Sequence, residues 1–381
     1  MHTSISTIRV LVITLLIEVS ASSRFRTANT CETDEDCSLN GICLYRHTRF
    51  NKIDPKPNNG NGNRYGEDTI KVCNCDAGWS GEDCGTLDLE PAKRNTGYNH
   101  TDATNPNSFG KSGNSSWGGQ ILQDPTDKRI FHLFVDQFGN GCGLSGWRPN
   151  SFIIRAESMT GPQGPFHYAQ TVAPAFRHNA YIFYSPADNK YLLYAIGVDV
   201  PTQTKCGSVK WPNNVSVSSA QHIRGPWTPM KLALNTSATN PAPWPLWSAQ
   251  HPTSKILLGV EDNSIYIADK WNGNYELVKI QKDWNTSDYS STWTEDPFFW
   301  RDKSGNWHVL NHWLIDVTER GEKFPRVGAH MFARNLSGRW TFKQQAAFTS
   351  NVTFDDGSSE IFKRRERPKL FFSDDGEMTP L

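Results

Sequence analysis

Five stretches of this 381-residue chain share one plan, and that recurrence constrains the fold more than any other feature. Each begins with a polar loop, runs into an apolar strand, crosses a short turn and returns on a second strand. The stretches are "WGGQILQDPTDKRIFHLFVDQF", "HNAYIFYSPADNKYLLYAIG", "NPAPWPLWSAQHPTSKILLGV", "EDPFFWRDKSGNWHVLNHW" and "ERPKLFFSDDGE". Their turns are built from Asp, Pro, Ser, Asn, Lys and Gly, the chemistry of hairpin connections. After each of the first four comes an alternating strand, a polar turn and a return on an aromatic residue: Phe166, Trp227, Tyr275 or Trp340. Two hairpins make a four-stranded unit. Starts about 60 residues apart predict an all-β, five-bladed β-propeller, in which radial repetition hides the sheet edges. A β-sandwich gives no reason for repeated units with shared strand starts. Beyond Glu366 only one strand and a turn remain. The last blade is therefore expected to be incomplete, through truncation of the gene product rather than completion by residues 90–116.

The front of the chain is different. "MHTSISTIRVLVITLLIEVSASS" carries one Arg, an apolar core from Val10 to Val19 and small residues after it, the pattern of a signal peptide over residues 1–22. That run is too short to span a bilayer, and no later one is long enough, so no transmembrane segment is expected. Seven Asn-x-Ser/Thr sequons, at Asn99, Asn114, Asn214, Asn235, Asn285, Asn335 and Asn351, fit a secreted, extracellular glycoprotein. Lys plus Arg, 39, balances Asp plus Glu, 39, so nothing in the overall charge draws the chain to nucleic acid. The basic run Lys363, Arg364, Arg365, Arg367 reads as a solvated loop.

Six of the eight cysteines lie close together: Cys31, Cys37, Cys43, Cys73, Cys75 and Cys84. Six cysteines allow 15 pairings, and spacing alone leaves them open. The segment's close, "CNCDAGWSGEDC", resembles an EGF-like domain, here over residues 27–85 with a linker at 86–110 and the propeller at 111–381. That resemblance implies the pairs Cys31–Cys43, Cys37–Cys73 and Cys75–Cys84, and a role in protein contacts. The stretch between Cys43 and Cys73 is longer than is usual for the family, and "FRTANT" before Cys31 lacks calcium-binding acids. No calcium is expected there. Cys142 and Cys206 follow the inner strands of neighbouring blades and, in an oxidising compartment, are expected to bridge blades one and two.

The strand starts "HNA", "NPAP", "EDP" and "ERP" resemble those of five-bladed glycoside hydrolases of the arabinanase, levansucrase and invertase superfamily. The resemblance covers most of residues 100–381 and implies a central carbohydrate site. In a propeller the first strand of each blade lines one shaft, so residues far apart in sequence converge. Glycoside hydrolysis needs two carboxyls, one protonated and one ionised. Glu295, Asp296 and Glu366 are the catalytic candidates. Trp117, Gln120, His178, Asn179, Trp293, His312, His330 and Arg367 are the substrate-binding ones, and Asn240 starts the third blade. The family's acid at the first strand start is missing from "SWGGQ". Asp136, on the second strand, is a substitute, whereas Asp124 reads as a surface turn residue. Two readings stay open: an enzyme, or a non-catalytic sugar-binding or adhesion protein with aromatic platforms. Asp296 before Pro297 also suits a strand turn, Glu366 with Arg367 an ion pair between blades, and His178 a core histidine. No cofactor is expected, and no metal, because the four-residue spacing of His308 and His312 suits a helix face and the local pattern is strand.

Overall fold

The computed structural model describes residues 30–47, 52–54, 69–98, 115–200, 206, 212–237, 239–280, 294–313, 327–362, 364–372 and 378–379. Four antiparallel four-stranded sheets dominate it, each paired in chain order from the inner strand outward. The first blade comprises Ser116–Gln123, Phe131–Phe138, Ser151–Ser158 and His167–Ala173. The second comprises His178–Ser185, Lys190–Ile196, Val215–Ala220 and Lys231–Leu234. The third is Ala242–Pro245, Ile256–Gly259, Ile265–Ala268 and Glu276–Lys279, and the fourth Thr294–Arg301, Trp307–Trp313, Val327–Ala333 and Thr341–Phe348.

Burial explains the composition of these strands. Second and third strands lie between neighbouring sheets, so both of their faces are covered: Trp307–Trp313 and Val215–Ala220 are buried at every position. Outer strands meet water on one face, and His167–Ala173 alternates exposed with half-buried residues along most of its length. The recurring aromatics reach across to neighbouring strands. Trp227 of the second blade meets Phe134 of the first at 5.6 Å, and the Tyr275 hydroxyl of the third blade meets that of Tyr194 in the second at 2.8 Å. Between the third and fourth blades, Phe299 fills the space over Gly259 that any Cβ would occupy.

The expected fifth blade is corrected to a fragment among the described residues. After the fourth sheet come the hairpin Asn351–Thr353 with Ser359–Ile361 and the pair Phe371–Phe372 with Met378–Thr379. These are two separate strand pairs and not one four-stranded sheet. Residues 90–98 do not build one either: Ala92 bridges Phe354, and Tyr98 bridges Phe166 on the first blade.

The N-terminal segment is held by Cys31–Cys43, Cys37–Cys73 and Cys75–Cys84 around the antiparallel pair Gly41–His47 and Thr69–Cys75. It does not stand clear of the propeller. Glu35 pairs with Arg334 at 2.7 Å and Asp83 with Lys343 at 3.2 Å, and Trp79 lies 4.7 Å from the His330 ring. One face of this segment is thus spent on the fourth blade. The leader at 1–22, the sequons Asn99, Asn114 and Asn285, and most of the stretch between Cys43 and Cys73 lie outside the described residues. No helix among the described residues is long and apolar enough to cross a membrane.

A fourth disulfide, Cys142–Cys206, joins the first two blades across 64 residues of chain. Closing a loop of that length limits the unfolded ensemble. Replacing both cysteines by serine is expected to lower the unfolding free energy by about 2–4 kcal/mol. A denaturant midpoint unchanged from the parent's would show that the sheets alone hold the two blades together.

Candidate functional site

Four inner strands and the last segment begin with the same backbone departure. Gly118, Asn179, Asn240, Asp296 and Arg367 have φ of 66°, 59°, 59°, 59° and 58°. This left-handed conformation suits Gly and is tolerated by Asn and Asp, but it is uncommon for Arg. In the first, second and fourth blades it coincides with a register shift, between Trp117 and Gln120, His178 and Tyr181, and Glu295 and Phe298. The extra residue turns its side chain off the strand's own alternation. Asn179, Asn240, Asp296 and Arg367 together with Gly119 line one central cavity, so all five starts meet there.

That cavity has a volume of about 20 Å³, room for about one water. Around it, buried polar atoms lack partners: Asn179 Oδ1, Asp296 Oδ1 and Arg367 Nε. Asn179 Nδ2 donates to Asn240 Oδ1, and Arg367 Nη1 lies 3.8 Å from Asp296 Oδ1. Buried polar groups in folded proteins are nearly always satisfied, so this cluster is built to face something besides its own side chains.

Toward the fourth blade, His312 is fully buried among three carboxylates. Its Nδ1 lies 3.4 Å from Glu295 and 3.7 Å from Asp296, and its Nε2 3.8 Å from Glu366. Burial pulls the imidazole's pKa down, but the three carboxylates outweigh it and hold the value above the usual one. Burial alone would raise the Asp296 carboxyl; Arg367 and His312 reverse that and keep it below the ordinary carboxylate range. Asp296 is therefore ionised, and it favours the protonated form of His312 beside it. Ligand atoms of Glu295, Asp296 and His312 all lie within 4.8 Å of one another, a donor set that suits a cation. His308 takes no part in it, because four residues of strand separate it from His312 by about 13 Å.

The first blade supplies its acid from behind. Asp136 is fully buried and accepts hydrogen bonds from the backbone N–H of Asn179 at 2.8 Å and of Ala180 at 3.2 Å. Burial raises its pKa to about 7, against the pull of Arg367. A Cβ on Gly118 would meet Arg367 Cδ at 2.9 Å and Asp136 Oδ2 at 3.7 Å. The stem of Arg367 thus fills the space where the first strand start has no side chain. Lys369, half-buried and 4.9 Å from the Tyr181 ring, is held down to about 8 by its burial.

Several expected site residues fall elsewhere. Gln120 Oε1 accepts the backbone N–H of Ile182 at 3.2 Å, so its amide joins two blades. His178 is buried behind the shaft and reaches the site only through Asp136, with Nδ1 3.2 Å from Asp136 Oδ2 and 2.8 Å from Ser151 Oγ and its ring 4.5 Å from Trp147. His330 faces the N-terminal segment instead, with Nε2 3.0 Å from His308 and Nδ1 3.4 Å from Asn40 Nδ2. Trp117 lies 6.0 Å below the Arg367 guanidinium, and Trp293 is outside the described residues. Asp124 is not a surface residue: it is fully buried and paired with His132 at 2.9 Å and Arg224 at 2.7 Å. The basic run is no solvated loop either. Arg364 pairs with Glu366 at 3.4 Å, Arg365 donates to the Thr349 carbonyl at 3.1 Å, and Arg367 enters the shaft; Lys363 lies outside the described residues. Lys369 was legible as a lone cation two residues past a strand start, inside the apolar "KLFF".

No family model matches the chain, and no curated protein does. Among solved structures, it resembles an exo-β-1,3-galactanase from Phanerochaete chrysosporium with 13% identity and a TM-score of 0.40, over 61% of this chain and 53% of that one. An α-L-arabinofuranosidase from Podospora anserina gives 13% and 0.43, over 68% and 78%. An endo-arabinase from Bacteroides thetaiotaomicron gives 14% and 0.39, over 63% and 86%. The chain spans about half the length of the galactanase. At these values the likeness adds nothing to the geometry above, which rests on the chain's own strands and side chains.

The Asp136 shift has a measurable sign. Its native pKa, about 7, exceeds the unperturbed 3.8, so between pH 4 and 7 the folded chain holds a proton that the unfolded chain has released. Stability from this group is then lost as pH rises, by up to about 1.4 kcal/mol per pH unit. Urea unfolding of the parent and Asp136→Asn across that range is expected to show this slope in the parent alone. Parallel curves would mean that Asp136 titrates as an ordinary carboxyl.

Proposed function

We propose that the chain is a secreted glycan-acting protein of glycoside hydrolase type, with its carbohydrate site at the mouth of the propeller shaft. The observation that carries this reading is the cluster of Glu295, Asp296 and Glu366 around one buried histidine, His312, whose basicity they raise. Glu295 is 23% exposed at its side chain and Glu366 only 5%, so a sugar ring at the mouth would meet Glu295 first and Glu366 beneath it. In this reading Asp296, held ionised by Arg367 and His312, acts as base toward a water of the central cavity. Glu366, 3.8 Å from His312 Nε2, is the second carboxyl that glycoside hydrolysis needs. Asn179, Asn240 and Arg367 orient hydroxyls. The shaft itself is too narrow for a sugar, so recognition belongs to the mouth.

A second reading, carbohydrate binding without turnover, is favoured by one observation: the first strand start carries no acid, and Arg367 occupies its space. The same proposal takes residues 1–22 as a removed leader, 27–85 as an EGF-like module for protein contacts through its free face, 86–110 as a linker and 111–381 as the propeller. Four described sequon asparagines, Asn214, Asn235, Asn335 and Asn351, are half-buried or exposed, which suits glycosylation.

A hydrolysis screen and a glycan array on the full secreted chain separate the readings. The enzyme reading expects turnover that falls by at least about 100-fold in Glu366→Gln, with the unfolding midpoint kept. Glycan binding by a parent that turns nothing over would select the non-catalytic reading. If no glycan is bound or cleaved, the proposal fails in both forms.

A further inference from the structure

The inner strands start at the shaft mouth and end on the opposite face, at Gln123, Ser185, Pro245 and Arg301. On that face, a cavity of about 350 Å³ opens where the N-terminal segment meets the third and fourth blades. A neighbouring cavity of about 560 Å³ shares Trp244, Arg301, Asp302, Lys303 and Ser304 with it, so the two form one groove. Volumes of this order suit a small ligand rather than a water.

Five of the chain's 14 tryptophans line this groove: Trp79, Trp244, Trp247, Trp300 and Trp307. Trp79 and Trp300 stack at 6.4 Å with planes 17° apart, and Trp244 meets Phe372 edge-on at 6.1 Å. Trp247 is 37% exposed and Trp244 half-buried, so these two offer accessible surface while the others stand behind. Such a concentration of indoles on one concavity, open to water, has no packing function at Trp247.

The polar residues of the groove select the ligand class. Asp76 and Asp302 oppose Arg301 and Lys303, so the charges balance and an ion of either sign is not favoured. A hydrocarbon ligand would desolvate all four groups without return. Asp302 is already anchored, its Oδ1 accepting the Asn306 N–H at 2.7 Å and its Oδ2 lying 3.1 Å from His308 Nε2. Asp76 lines the same groove, is exposed and has no such side-chain anchor, so its carboxyl can accept hydrogen bonds from hydroxyls. Flat apolar faces bordered by balanced donors and acceptors match a sugar ring, apolar on its C–H faces and polar at its rim.

From this we infer that the groove beneath the third and fourth blades is a second carbohydrate-binding site, taking a neutral oligosaccharide independently of the shaft. It is composite, because Asp76 and Trp79 come from the disulfide-linked N-terminal segment. The inference stands on these residues and does not need the central reading.

The test uses the full, glycosylated and disulfide-bonded chain on an immobilised panel of neutral oligosaccharides of the galactan, arabinan, xylan, glucan and N-acetylglucosamine series. Three variants are compared with the parent: Trp247→Ala, Lys303→Ala, and Glu295→Gln with Glu366→Gln. Trp247 and Lys303 are surface residues, and thermal unfolding checks that each variant folds. The expected result is a bound oligosaccharide whose affinity falls about tenfold in Trp247→Ala, falls measurably in Lys303→Ala, and is kept when the shaft carboxylates are changed. Binding lost with the shaft variant and untouched by Trp247→Ala would overturn the inference while supporting the central site. A panel with no bound member would also overturn it.

Discussion

Everything at the centre of this protein depends on a left-handed residue at the start of each inner strand. A regular β-strand sends successive side chains to opposite faces, so a residue placed on the sheet cannot also look down the axis. The kink at Gly118, Asn179, Asn240, Asp296 and Arg367 breaks that alternation at one level of the ring. Three of the five are Asn or Asp, which bear this conformation with little penalty, and one is Gly. Arg367 is the exception, and it is the residue that reaches furthest, contacting both Asp296 and the space above Gly118. Such an outlier persists only where its surroundings over-determine it.

The electrostatics of the shaft follow from that convergence. Asp296, Asp136, Glu295 and Glu366 would repel one another in a dry interior. Arg367, Lys369 and His312 are placed among them, and the result is a set of carboxyls with separated proton affinities: Asp296 held ionised, Asp136 pushed up to about 7. Separation of this kind is what acid–base chemistry requires. It is also what a merely buried ion network produces, which is why turnover and binding have to be measured apart.

The N-terminal segment shows how a reading from sequence stops short. Its cysteine spacing and the "CNCDAGWSGEDC" close are visible in the string, but its contact with the fourth blade is not. That contact is made by a linear series of groups: Asp302, His308, His330 and Asn40, with Trp79 laid on His330. With both imidazoles carrying a proton on Nε2, Asn40 Nδ2 donates to His330 Nδ1, His330 Nε2 to His308 Nδ1, and His308 Nε2 to Asp302. His330, expected at the central site, lies on the third strand of the fourth blade and is committed to this docking instead.

Repetition, hairpin chemistry and strand composition belong to the sequence, because they are local: alternation, turn residues and a recurring aromatic need only a few neighbours to take effect. The pairing of Glu295 with Asp296 at a strand start was legible for the same reason. What only the tertiary structure decided is occupancy. Which side chain fills the shaft depends on the ring's radius and each side chain's length, and these made Arg367 the neighbour of Gly118, sent Gln120 into an inter-blade hydrogen bond and brought Asp136 forward from a second strand. The number of complete blades was decided there as well, since a strand start marks a position on the ring but only hydrogen-bonded partners make a sheet.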